Sequence, residues 1–324
     1  MTLPRRTLLA GALAAPAIAH AQHRLPWDTE RPIRLIHNGG AGSGSDAVTR
    51  VLAQGLGAIW NQTVVVENQG AGAGVVGYQA AMRARKDGLT AITCISSVLL
   101  GPLVDKKLPF DVFNEAVPVS QLMTAAGVLC VPKSLGVKSV AELLTWARAQ
   151  TGVIPFGNYG HGTASHIHAA LFSKRAGLNT ELVPYPGPQL VTDLMAGHVQ
   201  VGFLDSGTVI AQLRSGDIIG LAVTGPERVS VLPNLPTLIS LGNMQGFEPQ
   251  IWIGTFLPPE TPATIVDAWG DGVSRAVASA NVSARFRDIG FEPVGSQPAA
   301  FRAMLLRERD TWTRVVAETG VQIP

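Results

Sequence analysis

The stretch IRLIHNGGAGSGSDAVTRVLAQGLGAIW, residues 33–60, decides the fold class of this chain. Its first five residues, Ile33–His37, form the apolar run of a buried strand, and Asp46–Trp60 repeats apolar side chains at helical spacing. A glycine-rich turn joins the two segments. A strand, a short turn and a helix in this order are the first half of a βαβ unit, which predicts a parallel sheet.

The alternation of strand and helix signals continues to the C-terminus and divides into two series, the second inserted in the first. The sequence therefore predicts an α/β protein in which each of two lobes is a mainly parallel sheet flanked by helices. The first lobe is expected to hold residues 22–123 and 232–324, and the second lobe residues 124–231.

Composition and charge are those of a compact globular protein. The chain has 324 residues, of which 46% are apolar and 15% charged, and its 35 glycines and 22 prolines follow no period. These values exclude collagen-like and disordered classes. The formal net charge is only +2, and no basic patch appears, so we expect no nucleic-acid partner.

The N-terminus has the three parts of an export signal. Arg5 and Arg6 precede an apolar run, residues 8–18, that is too short to span a bilayer, and Ala19-His20-Ala21 is a small-x-small cleavage site. We expect residues 1–21 to be a signal peptide, with the arginine pair also compatible with twin-arginine export. The mature protein is then expected in the periplasm, as a monomer.

Gly39–Asp46 allows two interpretations. Glycines let backbone N–H groups turn toward a ligand at a helix start, where the helix dipole favours an anion. The alternative is an ordinary βα turn, with Ser45 as the N-cap and Asp46 favouring the dipole.

Residues 156–166, FGNYGHGTASH, repeat the same design in the second series. Two such loops, one in each lobe, would face each other across a cleft. Neither loop contains Lys or Arg, so an anion would be held by amides and hydroxyls, with His161 near the ligand. Asp205 ends a strand and begins a helix. It is expected to be a helix cap, and its position also allows a ligand contact.

The pattern G-x-G-x-x-G at residues 72–77 is the main argument for a nucleotide-dependent enzyme. The acidic residue that should end the following strand is missing, since Ser96 and Ser97 stand there. His166 and His168 point to different faces of a helix and do not form a metal site. No nucleophile motif is present. We therefore expect no cofactor, no metal and no enzymatic activity, with Cys94 and Cys130 as buried thiols rather than a disulfide.

Many segments in order resemble the Bug family, the solute receptors of tripartite tricarboxylate transporters. They include RPIRLI and GSGSDAVTRVLAQGL near the N-terminus, VVVENQGAGAGVVG, FGNYGHGTASHIHAALF, TDLMAGHVQVGFLD and LAVTGPERVSVLPNLPTL. The resemblance covers nearly all of the chain after the signal. It also accounts for the dinucleotide-like glycines, because VVVENQGAGAGVVG is similar to a stretch of that family.

The resemblance implies a two-lobed periplasmic-binding-protein fold of type II, the Venus-flytrap type, with a hinge and a small organic carboxylate in the cleft. It implies membrane permease subunits as partners. The first-lobe contacts carried over by position are Gly42, Ser43, Gly44, Ser45 and Asp46, with Ser96 and Ser97 nearby. The second-lobe contacts are Gly160, Gly162, Thr163, Ala164 and Ser165, together with Asp205.

This chain departs from the family pattern before the first loop. His37 and Asn38 stand where the family is apolar, and Gly39 stands at an aromatic position. These changes bear on which ligand is bound. Two other functions remain open at this point: a sensor that docks a membrane signalling partner, and a periplasmic enzyme on a similar scaffold.

Overall fold

The computed structural model of the protein describes residues 25–71, 74–185, 189–242 and 244–321. The expected signal peptide, residues 1–21, lies outside these ranges, as do two residues of the G-x-G-x-x-G pattern, Gly72 and Ala73. Among the residues described, no helix has the length and apolar character needed to cross a membrane.

Within the described ranges, the secondary structure consists of eleven strands and ten α-helices. The strands are β1 (Ile33–His37), β2 (Val64–Asn68), β3 (Thr90–Ile95), β4 (Val117–Ala125), β5 (Gly127–Pro132), β6 (Ile154–Asn158), β7 (Thr180–Pro184), β8 (Val201–Asp205), β9 (Ile218–Val223), β10 (Ile251–Leu257) and β11 (Glu292–Pro293). The helices are α1 (Gly44–Trp60), α2 (Val75–Met82), α3 (Ser97–Val104), α4 (Val140–Arg148), α5 (Ala164–Ala176), α6 (Gln189–Ala196), α7 (Ser206–Ser215), α8 (Ala263–Ala278), α9 (Ala280–Asp288) and α10 (Pro298–Thr319).

The first sheet has the strand order β11-β4-β10-β3-β1-β2. β1 runs parallel to both of its neighbours, and the register places His37 beside Asn68 of β2 and Thr93 of β3. β10 lies antiparallel between β3 and β4. Because β1 runs parallel to β2 and β3, its carboxyl end and the loop that follows it lie between the carboxyl ends of these two strands.

The second sheet has the order β7-β6-β8-β5-β9. β6 runs parallel to β7 and β8, whereas β5 runs antiparallel to β8 and β9. The predicted two-lobed α/β class is confirmed. Both sheets are mixed rather than mainly parallel, because β10 and β5, the strands that carry the chain from one series to the other, run against their neighbours.

The chain passes between the sheets at two places. β4 ends at Ala125 in the first sheet and β5 begins at Gly127 in the second, so the single buried residue Ala126 separates them. The return lies between β9 and β10, and Thr237 in that segment still bridges to Val223 of β9. The lobe boundaries at 123/124 and 231/232 stay predictions.

Helix α1 forms because its apolar residues recur every three or four positions. Val48, Val51, Leu52 and Leu56 are all buried, so one stripe of the helix packs on the sheet. The helix ends where Asn61 takes a left-handed conformation, at φ 48°, and its N–H bonds back to the helix. This packing fixes the position of the N-terminus of α1 against β1.

One apolar cluster extends through both lobes. It joins Ile36 of the first sheet to Phe156 and Phe203 of the second, and Trp312 of α10 closes it. Helix α10 therefore packs against both halves of the molecule. Cys94 and Cys130 are buried and free, as expected for thiols, and burial raises the pKa of each thiol far above its usual value.

Candidate ligand-binding site

The loop between β1 and α1 begins its helix earlier than the sequence indicated. Ser43, not Ser45, is the N-cap, and its Oγ accepts a hydrogen bond from the Asp46 N–H at 3.2 Å. The Asp46 carboxylate reaches back to the Gly42 N–H at 2.8 Å. The helix starts at Gly44 because Gly42, at φ 78°, turns the chain ahead of the capping residue.

Two backbone N–H groups at this helix start have no acceptor within the described part of the protein. Among the described residues, no protein group accepts a hydrogen bond from the N–H of Gly44 or Ser45. The first amides of a helix have no partner within the helix, and they lie at the positive end of its dipole. The arrangement can hold an anion through main-chain donors.

Asp46 holds this loop in shape. Its buried carboxylate accepts from Gly42 N, from Asn68 Nδ2 at 2.9 Å and from Arg50 Nε at 3.1 Å. Burial opposes ionisation, yet these three donors outweigh burial and keep the pKa of Asp46 below its usual value. Since the carboxylate is negative and already bonded, we propose that Asp46 shapes the cradle rather than touching a bound anion.

The loop between β6 and α5 is built in the same way. Thr163 is the N-cap, and its Oγ1 accepts from the His166 N–H at 3.3 Å and donates to the Gly160 carbonyl at 2.7 Å. Gly160 and Gly162 have positive φ angles of 105° and 75°. The Gly162 N–H donates to Nδ1 of His166 at 3.3 Å, as the Gly42 N–H donates to Asp46 in the first loop.

The two loops share their capping bonds. In each loop, the hydroxyl of the N-cap residue contacts a second hydroxyl two residues later. The distance is 3.0 Å between Ser43 Oγ and Ser45 Oγ and 3.1 Å between Thr163 Oγ1 and Ser165 Oγ. In the second loop, too, the first two helical N–H groups have no protein acceptor among the described residues; they belong to Ala164 and Ser165. Each lobe therefore presents an equivalent pair of free amides beside two hydroxyls.

The ring of Phe291 connects the two lobes next to the first loop. A Cβ on Gly44 would lie 3.3 Å from its Cζ atom, and a Cβ on Gly207, in the first turn of α7, would lie 2.4 Å from the same atom. Ser206 Oγ also donates to the Gly290 carbonyl at 2.8 Å. The first turns of α1 and α7, from different lobes, are thus packed on one aromatic ring.

Asp205 is the N-cap of α7, as predicted. Its carboxylate accepts from the Thr208 N–H at 2.8 Å and from the Thr208 hydroxyl at 2.7 Å. Burial, and then the charge of Asp205, raise the pKa of Tyr159 well above its usual value. β6 and β8 are parallel neighbours, so the turns that follow them lie at the same edge of the second sheet. The helix starts of α5 and α7 therefore lie together.

The remaining predicted residues lie at the edges of these loops. Ser96 is buried at the start of α3, where its N–H donates to the Trp252 carbonyl at 3.0 Å, and Ser97 follows it. The exposed ring of His161 stands edge-on to His166, with 5.2 Å between ring centroids. Within the described ranges, no three or more His, Cys, Asp or Glu side chains are grouped to hold a metal ion.

Sequence reasoning missed two residues of this region and left the contacts of a third open. Phe291 belongs to no motif, and its position depends on packing between distant segments. Tyr159 lies within the second glycine loop, but the sequence pattern does not indicate that its side chain is buried beside Asp205. His37 was noticed only as an unusual polar residue, whereas the structure places its buried ring in contact with Ser45. A polar residue at the end of an otherwise apolar strand, directly before a glycine loop, was the available signal.

The sequence matches the family model described as "Tripartite tricarboxylate transporter family receptor" over residues 48–321. Protein BugT of Bordetella pertussis is 29% identical over 326 residues, which cover 100% of each chain. The UPF0065 protein in the tcbD-tcbE intergenic region of Pseudomonas sp. strain P51 is 29% identical over 317 residues, 97% of this chain and 94% of the relative.

Two solved structures have the same fold. R. palustris Rpa4515 with adipate superimposes with a TM-score of 0.80 at 27% identity, covering 91% of this chain and 99% of that one. The periplasmic binding protein BugD superimposes with a TM-score of 0.77 at 26% identity, covering 90% and 99%. The family and the fold are those of solute-binding receptors.

Proposed function

The chain belongs to the family of tripartite tricarboxylate transporter receptors, and on that premise we propose that it captures a small organic carboxylate between its lobes. We propose further that residues 1–21 direct its export to the periplasm and that it delivers the acid to membrane permease subunits. The contacts would come from the two glycine loops, with Ser96, Ser97, His161 and Asp205 at their edges.

One observation carries this proposal: the equivalent pairs of free amides, Gly44 with Ser45 and Ala164 with Ser165, at two helix starts. Amides at a helix start, in line with its dipole, suit a carboxylate without needing a cationic side chain. Hydroxyl groups beside them add donors whose direction can adjust. Such a cradle favours reversible capture, which is what a receptor requires.

The ligand class is supported by a relative. Rpa4515, whose solved structure contains adipate, is similar to this chain over 91% of its length. Adipate is a dicarboxylate, and the paired loops offer anion-binding groups in both lobes. We propose organic mono-, di- or tricarboxylates as the ligand class and take adipate as the first probe.

The alternative function that a specific contact favours is a hydrolytic enzyme. Ser45 Oγ lies 3.0 Å from His37 Nε2, the contact that activates a serine nucleophile in hydrolases. The other ring nitrogen faces the hydroxyls of Thr93 and Thr49 rather than a carboxylate. In the receptor, the same contact would orient the Ser45 hydroxyl, and turnover of an acid would distinguish the two.

The test is a thermal-shift screen of the mature chain from Gln22 onward, followed by chemical analysis of the added compounds. The panel contains adipate, succinate, citrate, acetate, aromatic acids, amino acids and neutral sugars. A ligand at a hundred times its dissociation constant stabilises the native state by about 2.7 kcal/mol, which is readily measured. Stabilisation by carboxylates recovered unchanged supports the proposal, whereas no response to any acid, or conversion of one, contradicts it.

A further inference from the structure

The buried ring of His37 joins the first loop to the interior of the lobe. Its Nε2 atom lies 3.0 Å from Ser45 Oγ. Its Nδ1 atom lies 3.1 Å from Thr93 Oγ1 and 3.3 Å from Thr49 Oγ1. One imidazole therefore contacts a hydroxyl of the anion cradle on one side and two buried hydroxyls on the other.

The bonds of the two threonines decide which ring nitrogen carries the proton. Thr49 Oγ1 donates to the Ser45 carbonyl at 2.9 Å. Thr93 Oγ1 lies 2.9 Å from Thr49 Oγ1 and 3.3 Å from the Ile36 carbonyl, and we assign its hydrogen to the shorter contact. With its hydrogen in that bond, the Thr93 hydroxyl accepts from His37, so Nδ1 is the protonated nitrogen. The unprotonated Nε2 then accepts the hydroxyl hydrogen of Ser45.

This arrangement leaves the first loop without a free hydroxyl hydrogen. The Ser45 hydrogen points at the ring, and the Ser43 hydroxyl donates to the Gly40 carbonyl at 2.8 Å. The second loop differs at this one position, because Ser165 Oγ accepts from the Tyr159 N–H at 2.9 Å. A backbone N–H can only donate, so the Ser165 hydrogen has only the 3.1 Å contact with Thr163 Oγ1 and can turn from it to a bound anion.

We infer that His37 moves its ring proton from Nδ1 to Nε2 when a carboxylate enters the first loop, an inference that rests on the proposed function. In the bound form, Nε2–H donates to Ser45 Oγ, and the Ser45 hydroxyl donates to the carboxylate. Nδ1 becomes an acceptor, and the Thr93 hydroxyl turns to it from the 2.9 Å contact with Thr49. Water accepts the proton from Nδ1 and supplies the proton on Nε2, so the step balances and the ring keeps its charge.

The surroundings of His37 keep the ring neutral. Burial is the largest influence and lowers its pKa, and the charge of Arg50 acts in the same direction. Asp46 and a backbone hydrogen bond with Thr93 raise the pKa but do not outweigh burial. The other groups facing the ring, the threonine and serine hydroxyls, are uncharged. The change on binding is therefore one of tautomer, which makes His37 a positioning residue for the Ser45 hydroxyl.

The direct test is nitrogen-15 NMR of histidine-labelled mature protein, free and then titrated with adipate, succinate or citrate. The ring nitrogens of His37 are assigned by the loss of their signals in His37→Gln. We expect a protonated Nδ1 in the free protein and a protonated Nε2 in the saturated complex. A ring that keeps one tautomer throughout binding overturns the inference while leaving the proposed function intact.

Two matched serine variants separate this role from general support of the loop. In Ser45→Ala, adipate should bind about tenfold more weakly, which is the loss expected for one hydrogen bond to a charged group. The tautomer of His37 should no longer change when adipate binds. In Ser165→Ala, the affinity for adipate should fall by a similar factor while the tautomer of His37 still changes on binding. If the tautomer responds identically in both variants, the inferred link between His37 and the Ser45 hydroxyl is wrong.

A thermodynamic cycle keeps the inference testable without NMR. His37→Gln should weaken adipate binding in the wild-type and Ser165→Ala backgrounds but change it less than twofold in Ser45→Ala. If His37→Gln lowered the affinity for adipate equally in all three backgrounds, His37 would have only a structural role. If none of the three acids binds to the wild type in calorimetry, the proposed function fails and this inference fails with it.

Discussion

Phe291 fills the space that a side chain on Gly207 would need. A Cβ on Gly207 would lie 2.3 Å from Cε1 and 2.4 Å from Cζ of the ring, closer than real Cβ contacts. The ring belongs to the segment after α9 of the first lobe, and the glycine to the first turn of α7 in the second. A Cβ on Gly44, at the start of α1, would lie 3.3 Å from Cζ of the same ring, so Phe291 packs between the first turns of α1 and α7.

Gly207→Ala should therefore destabilise the protein. Forcing a methyl group against the Phe291 ring costs about 1–3 kcal/mol in a packed interior, and better helix propensity returns less than about 1 kcal/mol of that. We expect a net loss of about 1–2 kcal/mol in urea unfolding. Gly152→Ala, at an exposed glycine with nothing within 4 Å of a Cβ, is the control and should change stability little. Equal stability of both variants would contradict the contact.

His168 should make the protein sensitive to acid. It is buried among the rings of Phe203, Phe247 and Trp312, and burial lowers its pKa to about 3. Its contribution to stability is present above the unfolded pKa near 6.5 and is lost as pH falls toward 3, because only the unfolded chain gains the proton. The loss amounts to at most about 1.4 kcal/mol per pH unit.

Unfolding by urea at pH 7 and pH 4.5 measures this dependence. In His168→Phe, the difference in unfolding free energy between the two pH values should shrink by on the order of 2 kcal/mol relative to wild type. His198, whose side chain is 72% exposed, provides the control His198→Gln, which should keep the wild-type difference. An unchanged pH difference in His168→Phe would mean that its native pKa is not depressed.

Glu308 should give the unfolding free energy a pH dependence of the opposite sign. Burial raises the pKa of its carboxyl to about 7, although Trp252 Nε1 donates to it at 2.7 Å. For an acid with a raised pKa, the stabilising contribution is present below the unfolded value near 4.5 and is lost as pH rises through 7. Glu308→Gln keeps an acceptor for Trp252 and carries no charge at any pH.

We therefore expect Glu308→Gln to gain stability relative to wild type between pH 5 and pH 8, by on the order of 2 kcal/mol. Denaturant unfolding at both pH values is the measurement, and Glu227→Gln, at an exposed glutamate, serves as the control. A constant difference between Glu308→Gln and wild type across this range would show that the native carboxyl titrates normally.

The parts of the fold that depend on local sequence could be predicted. Strand Ile33–His37 was located to the residue, because an apolar run before a glycine loop is a local signal. The start of α1 was placed at Asp46 rather than Gly44, since Ser43 and Ser45 are both capping residues and only the turn at Gly42 decides between them. Helix α3 was missed because Pro102 interrupts its apolar run.

The long-range parts could not be predicted from sequence. β10 pairs antiparallel with β3, with Ile253 beside Ile95, and no pattern in either segment specifies that partner. The same limit applies to the candidate site. Both glycine loops were found from the local pattern of a strand, a glycine turn and a helix start. The ring of Phe291 between the lobes and the hydrogen bond between Ser45 and His37 depend on tertiary packing.

Calorimetric titration of adipate into the wild type, Ser43→Asp and Thr163→Asp tests the central claim most directly. Aspartate is as good an N-cap as serine or threonine, so both variants should unfold within about 1 kcal/mol of the wild type. Each introduced carboxylate would stand beside the free amides of one loop and repel the bound acid. We predict that either substitution alone weakens binding more than a hundredfold, and wild-type affinity in either variant would contradict capture of the anion by both loops.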